Sequence, residues 1–235
     1  MSTIQLPARL FTRRLPFDAR RVGLLLTGVR DLLTVSGPIL LELSIMLAQS
    51  WQPGYNPLRD TISSMVWGPR GWLQTVNFFL IGATLAALAS QLVPILKTRA
   101  ARWGGVALLV VGISFAILGV CPSQSPGGPK NLQAIIHGLT VYVIVFAFPI
   151  ACLLLARAVR VGKFGQFVAA YSYITSALGM VLIVGGALLM VKDAPWFGML
   201  ERVLLLNGFV WMEVVAVYFA GGAALHSREE GRYEN

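Results

Sequence analysis

Long apolar stretches separated by short polar ones dominate the chain. Six of them, at about 32–50, 72–96, 104–121, 133–156, 166–191 and 199–224, carry almost no ionisable side chain. A bilayer core about 30 Å thick is crossed by roughly 20 apolar helical residues, so each stretch is long enough to span. The alternation over about ten residues that marks a spanning strand is absent. Backbone polar groups in hydrocarbon must pair within their own segment, so the pattern predicts helices. The expected fold class is all-α, a polytopic transmembrane bundle of six helices.

Composition agrees. The 235 residues are 56% hydrophobic and 12% charged, with mean hydropathy +0.72, whereas soluble chains are about 25% charged. The 24 Gly and 12 Pro follow no period, which excludes collagen-like and low-complexity chains. Of the 19 Lys and Arg, only Arg59, Arg70, Lys130, Lys192 and Arg202 fall on one side of the predicted bundle. The others precede the first span, join the second to the third and the fourth to the fifth, or lie in the tail. The positive-inside rule then places both termini in the cytoplasm. The net charge of +9 is thereby an orientation signal, reinforced by anionic inner-leaflet lipid. It calls for no nucleic acid.

Three regions follow: a basic cytoplasmic or interfacial segment at 1–30, the six-helix domain at 31–225 and a cytoplasmic tail at 226–235. The run Val22–Val29 is too short for a span and lacks a small-residue cleavage site, so no cleaved signal peptide is expected. Leu10, Phe11, Leu15 and Phe17 either dip into the inner leaflet or belong to a disordered basic tail. Cys121 and Cys152 fall at different depths, which excludes a disulfide between them.

Lipid tails remove the hydrophobic drive between helices, and close backbone approach replaces it. Small residues four apart supply candidate faces: Gly82, Ala86 and Ser90; Gly112 and Ala116; Ser172 and Ser176; Ala216, Ala220 and Ala224. These faces are expected to meet neighbouring helices or another subunit. Pro149 predicts a kink in the fourth helix, while Pro38 and Pro94 are expected near helix ends.

Ionisable groups within a span cost roughly 2.5–3.5 kcal/mol at the centre, so each is a candidate for function. Glu42, His137 and Glu213 qualify, with Asn77 as an uncharged fourth. At 1.5 Å per residue, Glu42 lies about 12 Å, Asn77 about 8 Å and His137 about 6 Å below the outer end. Glu213 stands apart, past the midplane. Above the first three runs the longest external loop, 51–71. Its Pro-Gly and Asn-Pro pairs signal turns, and Asp60 or Thr61 is expected to cap a short helix. Arg59 and Asp60 either pair locally or reach down to Glu42 and His137. Trp51, Trp67 and Trp72 fit an interfacial belt. The expected polar cluster is therefore Glu42, Arg59, Asp60, Asn77, His137, Glu201 and Arg202.

The run Tyr55-Asn56-Pro57-Leu58-Arg59-Asp60-Thr61-Ile62-Ser63, followed by Gly71-Trp72-Leu73-Gln74 and Asn77, by His137-Gly138 and by Glu201-Arg202, resembles one family. It is a prokaryotic family of six-helix membrane proteins catalogued as domain of unknown function 998, and the resemblance spans about residues 30–225. It implies a topology and a prokaryotic cell membrane, and brings no established activity.

Three functions compete for the cluster. The first, taken as the working reading, is a structural or accessory subunit of a larger membrane complex, the cluster being an internal network that fixes the loop. The second is a lipid or small-molecule binding or transport protein. The third is a non-zinc enzyme acting on lipid headgroups, with Glu42 or Asp60 and His137 moving protons and Arg59 and Arg202 holding phosphate. No metal site is expected, because the chain has 2 histidines and His226 lies beyond the sixth span. The one cofactor reading is a chlorophyll or haem ligated by His137. Expected partners are the bilayer, other membrane subunits or a second copy.

Overall fold

The hydropathy pattern becomes six α-helices. The computed structural model describes residues 19–159, 162–191 and 195–233. Its helices are α1 (Ala19–Ser50), α2 (Gly71–Leu96), α3 (Arg99–Val120), α4 (Leu132–Ala158), α5 (Gly162–Val191) and α6 (Phe197–Tyr233), with one 3-10 helix at Ile62–Trp67. Each α-helix contains a stretch long and apolar enough to cross a membrane. The protein is an integral, multi-pass membrane protein by that measure, and no strand occurs among the described residues.

The first and last helices outrun the hydropathy pattern. α1 begins at Ala19, so the boundary expected at residue 31 falls inside it, and α6 continues to Tyr233 through the expected tail. Pro38 accordingly sits inside α1, not near its end. Arg and Lys residues flanking an apolar core extend a helix readily, because their helix propensity is high and the backbone pairs internally whether in lipid or water. Leu10, Phe11, Leu15 and Phe17, with Arg9, Arg13, Arg14, Arg160 and Lys192, lie outside the described residues.

Successive helices pack side by side, and α6 closes the ring on α1. The seams of α3 with α2 and α4 are the most extensive. Only Lys97 and Thr98 join α2 to α3. Lys97 ends α2 in the left-handed region at φ 49°, and the Thr98 hydroxyl caps α3 by accepting the Ala101 N–H at 3.0 Å. The α2–α3 seam is a backbone contact. A Cβ built on Gly82 would lie 2.7 Å from the Gly112 carbonyl oxygen, and one on Gly112 would lie 2.9 Å from that of Gly82.

The serine face of α5 is spent within the bundle too. Ser172 accepts the indole N–H of Trp211 at 2.8 Å, and Ser176 donates to the Pro149 carbonyl at 2.9 Å. α4 runs as one helix through Pro149. The core is continuous, from Leu41 and Ile45 on α1 through Leu85, Leu108 and Leu155 to Trp211 and Val215 on α6.

Candidate functional site

The loop between α1 and α2 is ordered by its own sequence. The Asn56 side chain accepts the Leu58 N–H at 3.0 Å, and its carbonyl accepts the N–H groups of Arg59 and Asp60 at 3.0 and 2.7 Å. The Asp60 carboxylate returns to the Asn56 N–H at 2.8 Å and pairs with Arg59 at 2.8 Å. The local alternative for the Arg59–Asp60 pair is the one adopted, and neither residue reaches Glu42 or His137. The Asn-Pro-Leu-Arg-Asp run is thus a self-closing turn.

Arg202, one turn into α6, ties that turn to the bundle. It donates to the carbonyls of Pro57, Asp60 and Gly198 at 2.8, 3.1 and 2.8 Å, to Gln49 Oε1 at 3.2 Å and to the Tyr55 hydroxyl. Tyr55 passes its own proton to the carbonyls of Asp60 and Thr61, at 3.1 and 3.0 Å. Burial pushes the Tyr55 hydroxyl above its ordinary 10.0, which keeps it a donor. The helix start is pressed against the turn: a Cβ on Gly198 would lie 2.5 Å from the Asp60 carbonyl oxygen, and the Met199 N–H meets the Leu58 carbonyl at 3.0 Å.

Thr61 is the N-cap residue of the 3-10 helix, but its side chain makes no capping bond. The cap comes from across the molecule. Glu201 Oε2 accepts the Ile62 N–H at 2.6 Å, and the carboxylate also takes the Ser63 N–H. A carboxylate satisfies orphan N–H groups better than a hydroxyl, through charge and a second oxygen. The far side of this helix is held by the α3–α4 loop, with Trp67 donating to the Ser123 carbonyl at 3.1 Å and Ser123 to that of Ser63 at 3.3 Å.

Asp60 gives this turn a pH dependence. The Arg59 hydrogen bond, chiefly, holds its carboxyl below the ordinary 3.8, helped by the Asn56 N–H and the charges of Arg59 and Arg202. A depressed folded-state value means stabilisation present above the ordinary value and lost as pH falls through the folded one. The thermal unfolding midpoint in detergent should therefore fall further between about pH 6 and about pH 3 in the wild type than in Asp60→Asn. Equal falls would remove Asp60 from the account.

Beneath the 3-10 helix, inside the ring, lies a cavity of about 110 Å³. Its walls are apolar, including Phe78, Leu85, Val111, Phe115, Phe148 and Phe209, and they come from α1, α2, α3, α4 and α6. No described α5 side chain contributes. Val141 on the α4 wall is 37% exposed, so the wall reaches the lipid-facing surface. Lower down, Phe148 closes α4 onto α6, edge-on to Trp211 at 5.4 Å between ring centroids.

Four polar residues meet at the loop end of this cavity: Ser63, Gln74, His137 and Glu201. His137 is 5% exposed, and its Nδ1 lies 2.8 Å from the Cys121 carbonyl. A carbonyl only accepts, so Nδ1 carries the proton of the neutral ring and Nε2 is left as a lone-pair acceptor. That Nε2 is buried and has no partner. Gln74 is 1% exposed; its Oε1 accepts from Asn77 at 3.4 Å, and Asn77 Oδ1 accepts from Ser44 at 2.7 Å. With Asn77 donating to Oε1, the Gln74 Nε2 is the free end. It too is buried without a partner.

The seven residues expected to form one cluster therefore divide. Arg59, Asp60 and Arg202 hold the loop. His137 lines the cavity, Asn77 orients Gln74 behind it, and Glu201 joins both groups. Glu42 is half-buried on α1, lines no part of the cavity and makes no hydrogen bond or ion pair with the others. Gln74, Ser63, Gln49 and Tyr55 were not singled out by charge. Gln74 and Asn77 share one face of α2 three residues apart, a pairing readable from the sequence.

Chemically, the site offers one strong acceptor and one two-proton donor in an apolar enclosure. It is not a Ser-His-acid relay, because His137 Nδ1 is spent on a carbonyl and Glu201 on backbone N–H groups. Among the described residues no three His, Cys, Asp or Glu side chains converge on a possible metal position. A family described as "Protein of unknown function (DUF998)" matches residues 35–218. No curated protein and no solved structure matches the chain.

Proposed function

This chain belongs to the DUF998 family, and we propose that it is a membrane protein that binds one amphiphile, head inward, in the cavity beneath its 51–70 loop. The observation that carries this reading is the pair of unpartnered, buried nitrogens on Gln74 and His137 in an otherwise apolar cavity. A buried polar atom without a partner costs about 1–3 kcal/mol. Two lining one cavity, from α2 and α4, are accounted for when a ligand completes them. The cavity sits toward the end that the positive-inside rule assigns to the outer leaflet of a prokaryotic plasma membrane. At about 110 Å³ it is well below the roughly 300–1,000 Å³ of a drug-sized pocket, which favours a lipid head over a chlorophyll or haem at His137.

A second reading, an accessory subunit, rests on a different surface. A shallow groove on the flank of α1 and α2 is lined by Ala86, Ala87 and Ser90 on α2 and by α1 residues from Leu26 to Leu33 that include Thr27 and Arg30. Ala86 and Ser90 are the small residues of α2 that the α3 seam leaves over, and a groove of that kind suits a partner helix.

One purification separates the two. The protein extracted from its native membrane in mild detergent should carry one small amphiphile per chain by native mass spectrometry. Ile144→Phe, which fills the cavity from a half-buried wall position, should lose it while keeping its unfolding midpoint within a few degrees. A stoichiometric partner chain with an empty cavity in both proteins would favour the accessory subunit.

A further inference from the structure

The ligand-binding reading leaves open what kind of head the cavity takes, and its walls answer that. Gln74 Nε2 presents two N–H donors and no acceptor, while His137 Nε2 presents a lone pair and no proton. One group serves both at once: an uncharged hydroxyl, whose oxygen accepts and whose proton is donated.

Charged heads fit less well. The nearest cation, Arg202, is turned away and fully engaged by Pro57, Asp60, Gly198, Gln49 and Tyr55. A phosphate or carboxylate would thus enter without a counter-charge. An ammonium has no lone pair for Gln74 to donate to. An ester or ketone satisfies Gln74 and leaves His137 bare.

Size limits the rest of the molecule. An apolar cavity of roughly 150 Å³ takes one benzene, so about 110 Å³ receives a hydroxyl and the first few carbons behind it. The remaining chain must stay in the bilayer, and Val141 marks where the wall meets the lipid-facing surface. Phe148, against Trp211 and over Gly208, closes the way further down.

We propose that the cavity is a receptor site for a long-chain alcohol, its hydroxyl accepting from Gln74 Nε2 and donating to His137 Nε2, its chain leaving past Val141 into the membrane. This rests on the binding reading above. Asn77, itself bonded to Ser44, donates to Gln74 Oε1 and leaves Nε2 facing the ligand, and the Cys121 carbonyl sets the tautomer of the imidazole.

The test uses the purified full chain in lauryldimethylamine oxide, a detergent with no hydroxyl of its own. Hexadecan-1-ol, hexadecane, hexadecylamine, hexadecanoate and hexadecyl phosphate are added separately, and one-to-one adducts are measured by native mass spectrometry. The alcohol is expected to bind best, at least about fivefold above hexadecane, the ratio of one net hydrogen bond of about 1 kcal/mol. Gln74→Met and His137→Phe should each lower alcohol binding about fivefold and leave hexadecane unchanged. Ile144→Phe should suppress every adduct.

Hexadecane equal to the alcohol, or phosphate or amine above it, with Ile144→Phe still suppressing binding, would overturn the hydroxyl assignment and leave the cavity reading intact. Absence of any adduct sensitive to Ile144→Phe would overturn both. Unfolding midpoints establish that each variant is folded. Should a substituted protein fail that check, the ranking of the five probes on the wild type decides alone.

Discussion

Arg202→Met is expected to destabilise the protein by about 3 kcal/mol and to free the 51–70 loop. The guanidinium serves three carbonyls, the Gln49 amide and the Tyr55 hydroxyl, and methionine keeps its bulk while removing every donor. Summing about 1–3 kcal/mol for each orphaned acceptor would overshoot. Polar contacts in membrane bundles average nearer 0.6 kcal/mol by double-mutant cycles, and the released loop can take its hydrogen bonds from water. Five contacts at that lower weight give the figure of about 3 kcal/mol.

The effect should be local as well as global. Hydrogen exchange should rise most at Asn56–Thr61, since the turn loses Arg202 while the 3-10 helix keeps Glu201 and Ser123. Arg202→Lys should recover little, because an ammonium cannot reproduce a fork that spans Gln49, Tyr55 and two backbone turns. Unchanged exchange over the loop in Arg202→Met would show that the turn stands without its clamp.

Gly82→Leu is expected to be comparably severe, at about 3 kcal/mol, for a different reason. The Gly112 carbonyl oxygen lies 2.7 Å from where a Gly82 Cβ would go, and that of Gly82 lies 2.9 Å from a Gly112 Cβ. Neither is a flexible side chain that can move aside, so α2 and α3 must separate. Overpacking costs typically 1–3 kcal/mol, and a clash with backbone belongs at the upper end. Gly138 is the control: a Cβ there meets nothing within 4 Å, and Gly138→Ala should stabilise α4 by about 0.5–1 kcal/mol. Thermal unfolding of both variants in one detergent makes the comparison, and equal effects would contradict a backbone seam at Gly82.

The architecture was legible because hydrocarbon imposes it. A segment such as 104–121 has one way to satisfy its backbone in lipid, so composition alone predicts α3 to within a few residues. The start of α1 was less legible, since charged residues such as Arg20 and Arg21 end a span without ending a helix. The loop's tether to α6 could not be read at all. Ile62 and Glu201 lie 139 positions apart, and a local rule assigned the cap to Thr61 or Asp60, the nearest residues able to serve.

The polar cluster shows the same limit. Depth groups Glu42 with His137 in one half of the membrane, but depth says nothing of which face of α1 Glu42 occupies. Charge drew attention to Glu42, while the uncharged Gln74, deep in the cavity wall, holds the donor. What singles out Gln74 is an unmet hydrogen bond, a property of the folded molecule.

The central claim is that a ligand's head completes Gln74 and His137. The most direct measurement is an experimental structure of the protein in nanodiscs formed from its native membrane, at a resolution that separates lipid from water. Rod-shaped density is expected to enter beside Val141, with its tip within hydrogen-bond distance, about 2.7–3.2 Å, of Gln74 Nε2 and His137 Nε2. A cavity closed by Phe115 and Phe148, or holding only isolated waters on those two nitrogens, would contradict it.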